Sequence, residues 1–272
     1  MVTGTQDVGL EAKPKQPHKK LMVLPAKTPI IEGMTQPPSS PVTSRRVGPV
    51  LHITLNDGKA NALSFAIIDA VDACLTEAES DDEIRSVVIS GTPGRFCAGF
   101  DLGVITGGSI ADRTALVAGG GHLVHRLYST SVPVVAACTG HAVAAGALLL
   151  LGCDYRIGPA EPGTAKIGLN EVAIGLSLPK WAITIAQERL SRRHLQRSVA
   201  NSHIYDGPGA TSAGFLDEVS DSDLIVEHAI AHATKLADTL NPAAYVSTLR
   251  SLRGVVAKNM ADQIAADQAS HG

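Results

Sequence analysis

Nothing in the charge of this chain is lopsided: 23 Lys and Arg stand against 26 Asp and Glu in 272 residues, giving a net charge of -3 and a pI near 6.4. Such a balance supplies no basic field for nucleic acid or an anionic membrane, and neither partner is expected. Long apolar runs are missing too, since no segment approaches the roughly 20 residues needed to span a bilayer. Cysteine is scarce. Cys74, Cys97, Cys138 and Cys153 show no CxxC or CxxH spacing, and each sits in an apolar segment where a buried thiol is common. No internal repeat is visible. These absences leave a globular chain of a reducing cytoplasm with a small-molecule substrate, long enough to bury a core without disulfide or metal support.

What is present begins with residues 1–44, rich in Pro, Lys, Thr and Gln, as in Lys13-Pro-Lys-Gln-Pro-His-Lys-Lys20 and Gln36-Pro-Pro-Ser-Ser-Pro41. This composition holds no regular core element and reads as a disordered N-terminal extension. The patch Leu21-Met-Val-Leu24 is too short for the apolar core of a signal peptide, and Met34 offers an alternative start. Structure is expected from Gly48-Pro-Val-Leu-His-Ile-Thr-Leu55, an alternating strand that ends at Asn56-Asp-Gly-Lys59. Ser64 then stands where an N-cap belongs, ahead of Ile67, Ile68, Val71, Cys74 and Leu75 at helical spacing. The rest alternates. Strands are expected at 86–90, 132–138 and 153–157, with a glycine-bearing loop at 91–101 and a helix at 111–128 between the first two. Helices are expected at 181–190 and 192–202, a short helix leading to an edge strand at 210–219, and two closing helices at 222–240 and 242–269. In the last, Leu249, Leu252, Val255 and Val256 suggest a packing face. Strand and helix in turn predict an α/β domain with parallel, mostly buried strands.

Three loops invite a ligand. Arg95-Phe-Cys-Ala-Gly-Phe-Asp101 has small residues before Phe100 that leave its N–H accessible, while Asp101 is placed to cap the following turn. In Thr139-Gly-His-Ala-Val-Ala-Ala-Gly-Ala147 a strand breaks at Gly140 and small residues lead into a helix N-terminus. The amides of Ala145 and Phe100 are therefore candidates for two donors to one carbonyl oxygen. Ile167-Gly-Leu-Asn-Glu-Val-Ala-Ile-Gly175 holds a single carboxylate, Glu171, among apolar residues, a setting that raises a pKa toward neutrality and suits a general base.

Set side by side, these loops resemble the enoyl-CoA hydratase/isomerase family, the crotonase superfamily. The resemblance rests on Asn61-Ala-Leu63, Phe96-Cys-Ala-Gly-Phe-Asp-Leu102, Pro133-Val-Val-Ala-Ala-Cys-Thr-Gly140, Gly146 through Cys153-Asp154, Gly168-Leu-Asn-Glu-Val-Ala-Ile-Gly175 and Ala213-Gly-Phe-Leu-Asp217, in the family's order and approximate spacing. It implies an α/β crotonase-like spiral of ββα units over 45–220 and a C-terminal helical trimerisation region over 221–272, assembled as a homotrimer or a dimer of trimers. It also implies an acyl-CoA thioester whose carbonyl is held by the amides of Phe100 and Ala145, with Glu171 as the acid/base. Lys59, Ala60, Ala62, Ala98, Asp101 and Leu102 fall on the family's adenine and pantetheine contacts. Coenzyme A is then part of the substrate, and no separate cofactor or metal is implied.

One departure separates the chain from the family's hydratases, which hold water between two glutamates. Leu148 stands at the first position, and only Glu171 remains. A leucine binds no water and takes no proton, whereas a single glutamate suffices to move a double bond. The Gly-Leu-Asn-Glu wording also resembles that of the family's Δ3,Δ2-enoyl-CoA isomerases. Two readings stay open beside isomerisation. One is hydration with another group in place of the first glutamate, for which His141 and Asp206 are the candidates, although a packed or capping histidine and a turn aspartate are the commoner roles. The other is a non-catalytic acyl-CoA binder.

Overall fold

The computed structural model describes residues 40–269, together with Met1. The expected extension therefore lies outside the described residues as far as residue 39, but its last residues do not belong to a tail. Strand β1 (Val42–Val47) pairs antiparallel with β2 (Val50–Leu55) across a turn at Gly48. Its Thr, Ser and Arg residues are exposed on a sheet edge, which is why no apolar alternation announced it. Helix α1 (Phe65–Ser80) follows, capped as expected by the Ser64 hydroxyl accepting from the Ile67 amide.

Three turns of chain then repeat one plan, a strand in a large sheet, a strand in a small sheet, and a helix. The first runs β3 (Ser86–Ser90), β4 (Gly94–Cys97), α2 (Leu102–Gly107) and α3 (Ile110–Ser129). The second runs β5 (Val134–Ala137), β6 (Gly140–Val143) and α4 (Ala145–Gly152). The third runs β7 (Tyr155–Pro159), β8 (Ile167–Gly168), a short 3-10 turn at Val172–Ile174 and α5 (Lys180–Arg189). After α6 (Arg192–Val199) and α7 (Gly207–Ala213), β9 (Glu218–Ser220) closes the large sheet, and α8 (Ile225–Thr239) and α9 (Pro242–Ala269) end the chain. The large sheet has the order β1-β2-β3-β5-β7-β9, parallel beyond β2, and the small one is β4-β6-β8, parallel throughout. This is the expected spiral of ββα units. Strands β4 and β6 occupy segments read as loops, because four residues that include glycine carry no strand period of their own.

Both faces of the large sheet are covered. Val50, Val88, Val135, Ala137 and Ile157 meet Ile225, Ala229 and Ala233 of α8, and the other face joins the main core. This two-sided burial explains the continuous apolar runs in β3 and β5. Every residue of α4 is buried, so this apolar helix lies inside the molecule with no solvent face. Helix α9 turns Leu249, Arg253, Met260 and Ile264 inward, while Leu252 and Val255 are 70% and 84% exposed, so the expected face is divided. Cys97, Cys138 and Cys153 are buried thiols and Cys74 is half-buried. No helix among the described residues is long and apolar enough to cross a membrane.

Asp154 ties α9 to this core. Its carboxylate pairs with Arg253 at 2.7 Å, accepts the Val134 amide at 2.7 Å and accepts the Tyr245 hydroxyl at 3.3 Å. Arg253 also donates to the Tyr128 carbonyl at 3.0 Å. Removing one member strands a buried charge, so Asp154→Ala is expected to lower unfolding stability by about 3–5 kcal/mol, read as a lower urea midpoint.

Candidate active site

The small sheet is what gathers the candidate residues. In a parallel sheet all strands point their C-terminal ends to one edge, where α/β proteins place ligands. Phe100 lies three residues beyond the end of β4, Ala145 two beyond β6, and Glu171 three beyond β8. With β6 in the middle of the sheet, Ala145 comes between the other two chain segments.

Close backbone approach brings the segment before Phe100 against the one that opens α4. Gly99 adopts φ 96, and a Cβ there would stand 3.0 Å from the Ala144 Cβ and 3.6 Å from the Ala145 nitrogen. Ala144 itself is at φ 51, ψ -126, a conformation that costs a side-chain-bearing residue about 1–3 kcal/mol. It is held there by its amide, which donates to the Gly168 carbonyl at 2.9 Å in extension of the β6–β8 ladder. The turn leaves the Ala145 N–H as the first orphan donor of α4. Phe100 is fixed by its ring, which presses on Gly120 of α3 where no Cβ would fit, and by a parallel bridge to Leu63. In that bridge Leu63 donates to Gly99 and Asp101 to Leu63, so the Phe100 N–H lies between and is not used.

Glu171 opens the 3-10 turn and is only 9% exposed. Burial pushes its carboxyl up to about 7, and no charged neighbour contributes to the shift. Its Oε2 and the Oδ1 of Asn170 are both buried without a hydrogen-bond partner. Orphaned polar atoms of this kind are uncommon in folded proteins, and a ligand or a proton would complete them here.

The remaining candidates separate. Ala98 donates to the Ala60 carbonyl at 3.1 Å, which joins the loop around Ala60 and Ala62 to the one around Ala98 and Asp101. Asp101 caps α2 as expected, accepting the Gly103 amide at 2.8 Å. Lys59 and Leu102 are exposed, Leu102 at 62%. Leu148, one turn into α4 from Ala145, is 1% exposed and belongs to the apolar core. His141 is neither core nor cap: it is exposed, and its Nδ1 accepts the Lys166 amide at 3.0 Å beside the β6–β8 pair. Asp206 caps α7 by accepting the Gly209 amide at 2.9 Å, a helix start that reads as a turn in the sequence. Among the described residues no group of three or more His, Cys, Asp or Glu is arranged to hold a metal ion.

One organising residue escaped the sequence reading. Asp57 accepts the amides of Lys59, Asn61 and Ala62 at 2.7, 2.8 and 3.0 Å, and so shapes the loop that meets Ala98. Asn61 sits inside it at φ 54 and donates to the Phe96 carbonyl. The only signal was Asn56-Asp-Gly58, which marks a turn and does not say what the aspartate holds.

The family model described as enoyl-CoA hydratase/isomerase matches residues 45–272. Among curated proteins, the chain is 31% identical over 182 residues to the mitochondrial enoyl-CoA delta isomerase 1 of Mus musculus, covering 66% of this chain and 63% of that one, so it spans less than two thirds of that relative. It is also 31% identical over 211 residues to a probable enoyl-CoA hydratase of Bacillus subtilis, covering 74% and 77% of the two chains. Among solved structures, an enoyl-CoA hydratase/isomerase family protein from Pseudomonas syringae superposes with a TM-score of 0.80 at 38% identity, over 85% of this chain and 98% of that one.

The raised carboxyl has a cost that can be measured. Between the ordinary carboxylate value of 4.5 and about 7 the folded chain holds the Glu171 proton more tightly than the unfolded chain does. Stability therefore falls as pH rises through that window. Glu171→Gln is expected to raise unfolding stability at pH 8 by on the order of 2 kcal/mol, a gain that vanishes near pH 4, both read by denaturant titration.

Proposed function

Because the chain belongs to the enoyl-CoA hydratase/isomerase family and has the crotonase fold, we propose that it isomerises enoyl-CoA thioesters, moving a double bond from C3 to C2 with Glu171 as the only acid/base. The carboxylate takes a proton from C2. As that C–H bond breaks, its electron pair forms the C1–C2 double bond and the carbonyl π pair moves onto the thioester oxygen, giving a dienolate that keeps the C3–C4 double bond until C4 is protonated. The N–H groups of Phe100 and Ala145 hold that charge, an interaction worth on the order of 3 kcal/mol per donor in comparable sites. Protonated Glu171 then delivers its proton to C4, and the dienolate collapses to the 2-enoyl thioester. Atoms and electrons balance with no co-reactant.

The observation that carries this reading is a lone buried carboxyl poised near neutrality, with an apolar core residue, Leu148, where a second acid would have to stand. A base with a pKa near the working pH takes and returns protons with comparable ease. The paired loops of Ala60, Ala62, Ala98, Asp101 and Leu102 with Lys59 are assigned to the coenzyme A portion. The exposed Leu252 and Val255 on α9 support association of copies of the chain, in keeping with a trimer.

Purified protein offered 3-enoyl-CoA and 2-enoyl-CoA of several chain lengths is expected to equilibrate the two with no more than trace 3-hydroxyacyl-CoA, and hydration at ordinary enzymatic rates would overturn the isomerase reading. If acyl-CoA binds and neither compound turns over, the chain is a binder. The kcat/KM for isomerisation is expected to rise with pH to a plateau, with a midpoint near 7 set by ionisation of Glu171. Gly99→Ala, which forces a methyl against Ala144 and spreads the two donors, is expected to reduce kcat by about 100-fold in a folded protein.

A further inference from the structure

Glu171 lies within a short arch whose two feet rest on the same remote segment. At the first foot, Ile167 of β8 and Tyr205 exchange backbone hydrogen bonds, each at 2.9 Å. At the second, the Ala173 amide donates to the Ser202 hydroxyl at 3.1 Å. Between them the 3-10 turn bonds only to itself, through the carbonyls of Asn170, Glu171 and Val172. Among the described residues the Ser202 hydroxyl is thus the one hydrogen-bond partner outside the turn that any of residues 172–176 uses. Val172 and Ile174 are exposed, so apolar packing does little to hold the turn.

Ser202 is itself set with care. It adopts φ 50, a left-handed conformation that costs a non-glycine residue roughly 1 kcal/mol. Its neighbours fix it there. Asn201 donates to the Gln196 carbonyl and His203 to the Arg197 carbonyl, while the Tyr205 hydroxyl meets Ser198 at 2.9 Å. A strained residue held by bonds on both sides, with its side chain on the loop that bears the acid/base, is a constraint the fold maintains at a cost.

We propose that Ser202 is a positioning residue for the acid/base: its hydroxyl pins the turn after Glu171 and so keeps the carboxyl buried with its Oε2 unpartnered. The catalytic part of this inference rests on the isomerase reading; the positional part does not. Ser202→Gly removes the hydroxyl and relieves the left-handed strain, so it is expected to leave stability unchanged or raised, which separates positioning from folding. Ser202→Asn tolerates the same backbone and keeps a side-chain acceptor.

The test follows the Glu171 carboxyl directly, as the glutamate carbon-13 resonance that disappears in Glu171→Gln. In the wild type it is expected to titrate near 7. In Ser202→Gly the midpoint is expected to drop toward the ordinary carboxylate range as the turn loosens and water reaches the group, and Ser202→Asn is expected to restore it in part. In parallel, kcat for isomerisation is expected to fall about tenfold in Ser202→Gly with KM unchanged, the effect of one lost positioning hydrogen bond. A Ser202→Gly midpoint that coincides with the wild type overturns the proposal, whatever the activity. Wild-type protein that turns over no enoyl-CoA overturns the isomerase reading and leaves the titration to decide the role of Ser202.

Discussion

The register of three short parallel strands governs this molecule. β4, β6 and β8 are held by a handful of backbone hydrogen bonds, and those bonds decide that three loops far apart in sequence finish at one edge. A slip of one residue in β6 against β8 would move the Ala144 amide off the Gly168 carbonyl and turn the Ala145 N–H away. The larger sheet and the C-terminal helices supply the stability; the small sheet supplies the coincidence in space. The two orphan amides and the orphan carboxyl oxygen are both consequences of that arrangement, since each sits just where a regular ladder has stopped.

Under the proposed mechanism, opposite demands meet at this edge. A charge forming on a carbonyl oxygen needs unused donors, and an acid/base working near neutrality needs to be kept from water and from cations. Under that mechanism the first is met with main-chain groups, which no side-chain exchange short of proline removes, and the second with apolar burial of one side chain. A carboxylate in place of Leu148 would put a charge into the apolar core beside the first turn of α4.

Much of the scaffold was legible in the sequence for local reasons. α1 shows its cap at Ser64 and its apolar positions at helical spacing, and β3 and β5 show the unbroken apolar runs of strands covered on both faces. What escaped was whatever depends on a partner distant in sequence. β1 is an exposed edge that pairing alone makes a strand; β4, β6 and β8 are too short to carry a period; Asp57 gathers three amides only once its loop has closed. Leu252 and Val255 fit an apolar stripe by spacing, yet they point to solvent because α9 meets the core through Arg253 and Met260. The candidate site residues were reached through the family resemblance, and the local pattern alone supplied Glu171 and the two glycine-bearing loops.

A helix with no solvent face has a further consequence. The packing that holds α4 inside the molecule is also what fixes the Ala145 amide, whereas the residues just after Glu171 stand in water. The two halves of the site therefore differ in durability. Under the proposed mechanism, warmth or mild chaotrope is expected to loosen the turn after Glu171 before it disturbs α4, so that activity is lost ahead of global unfolding and returns without refolding.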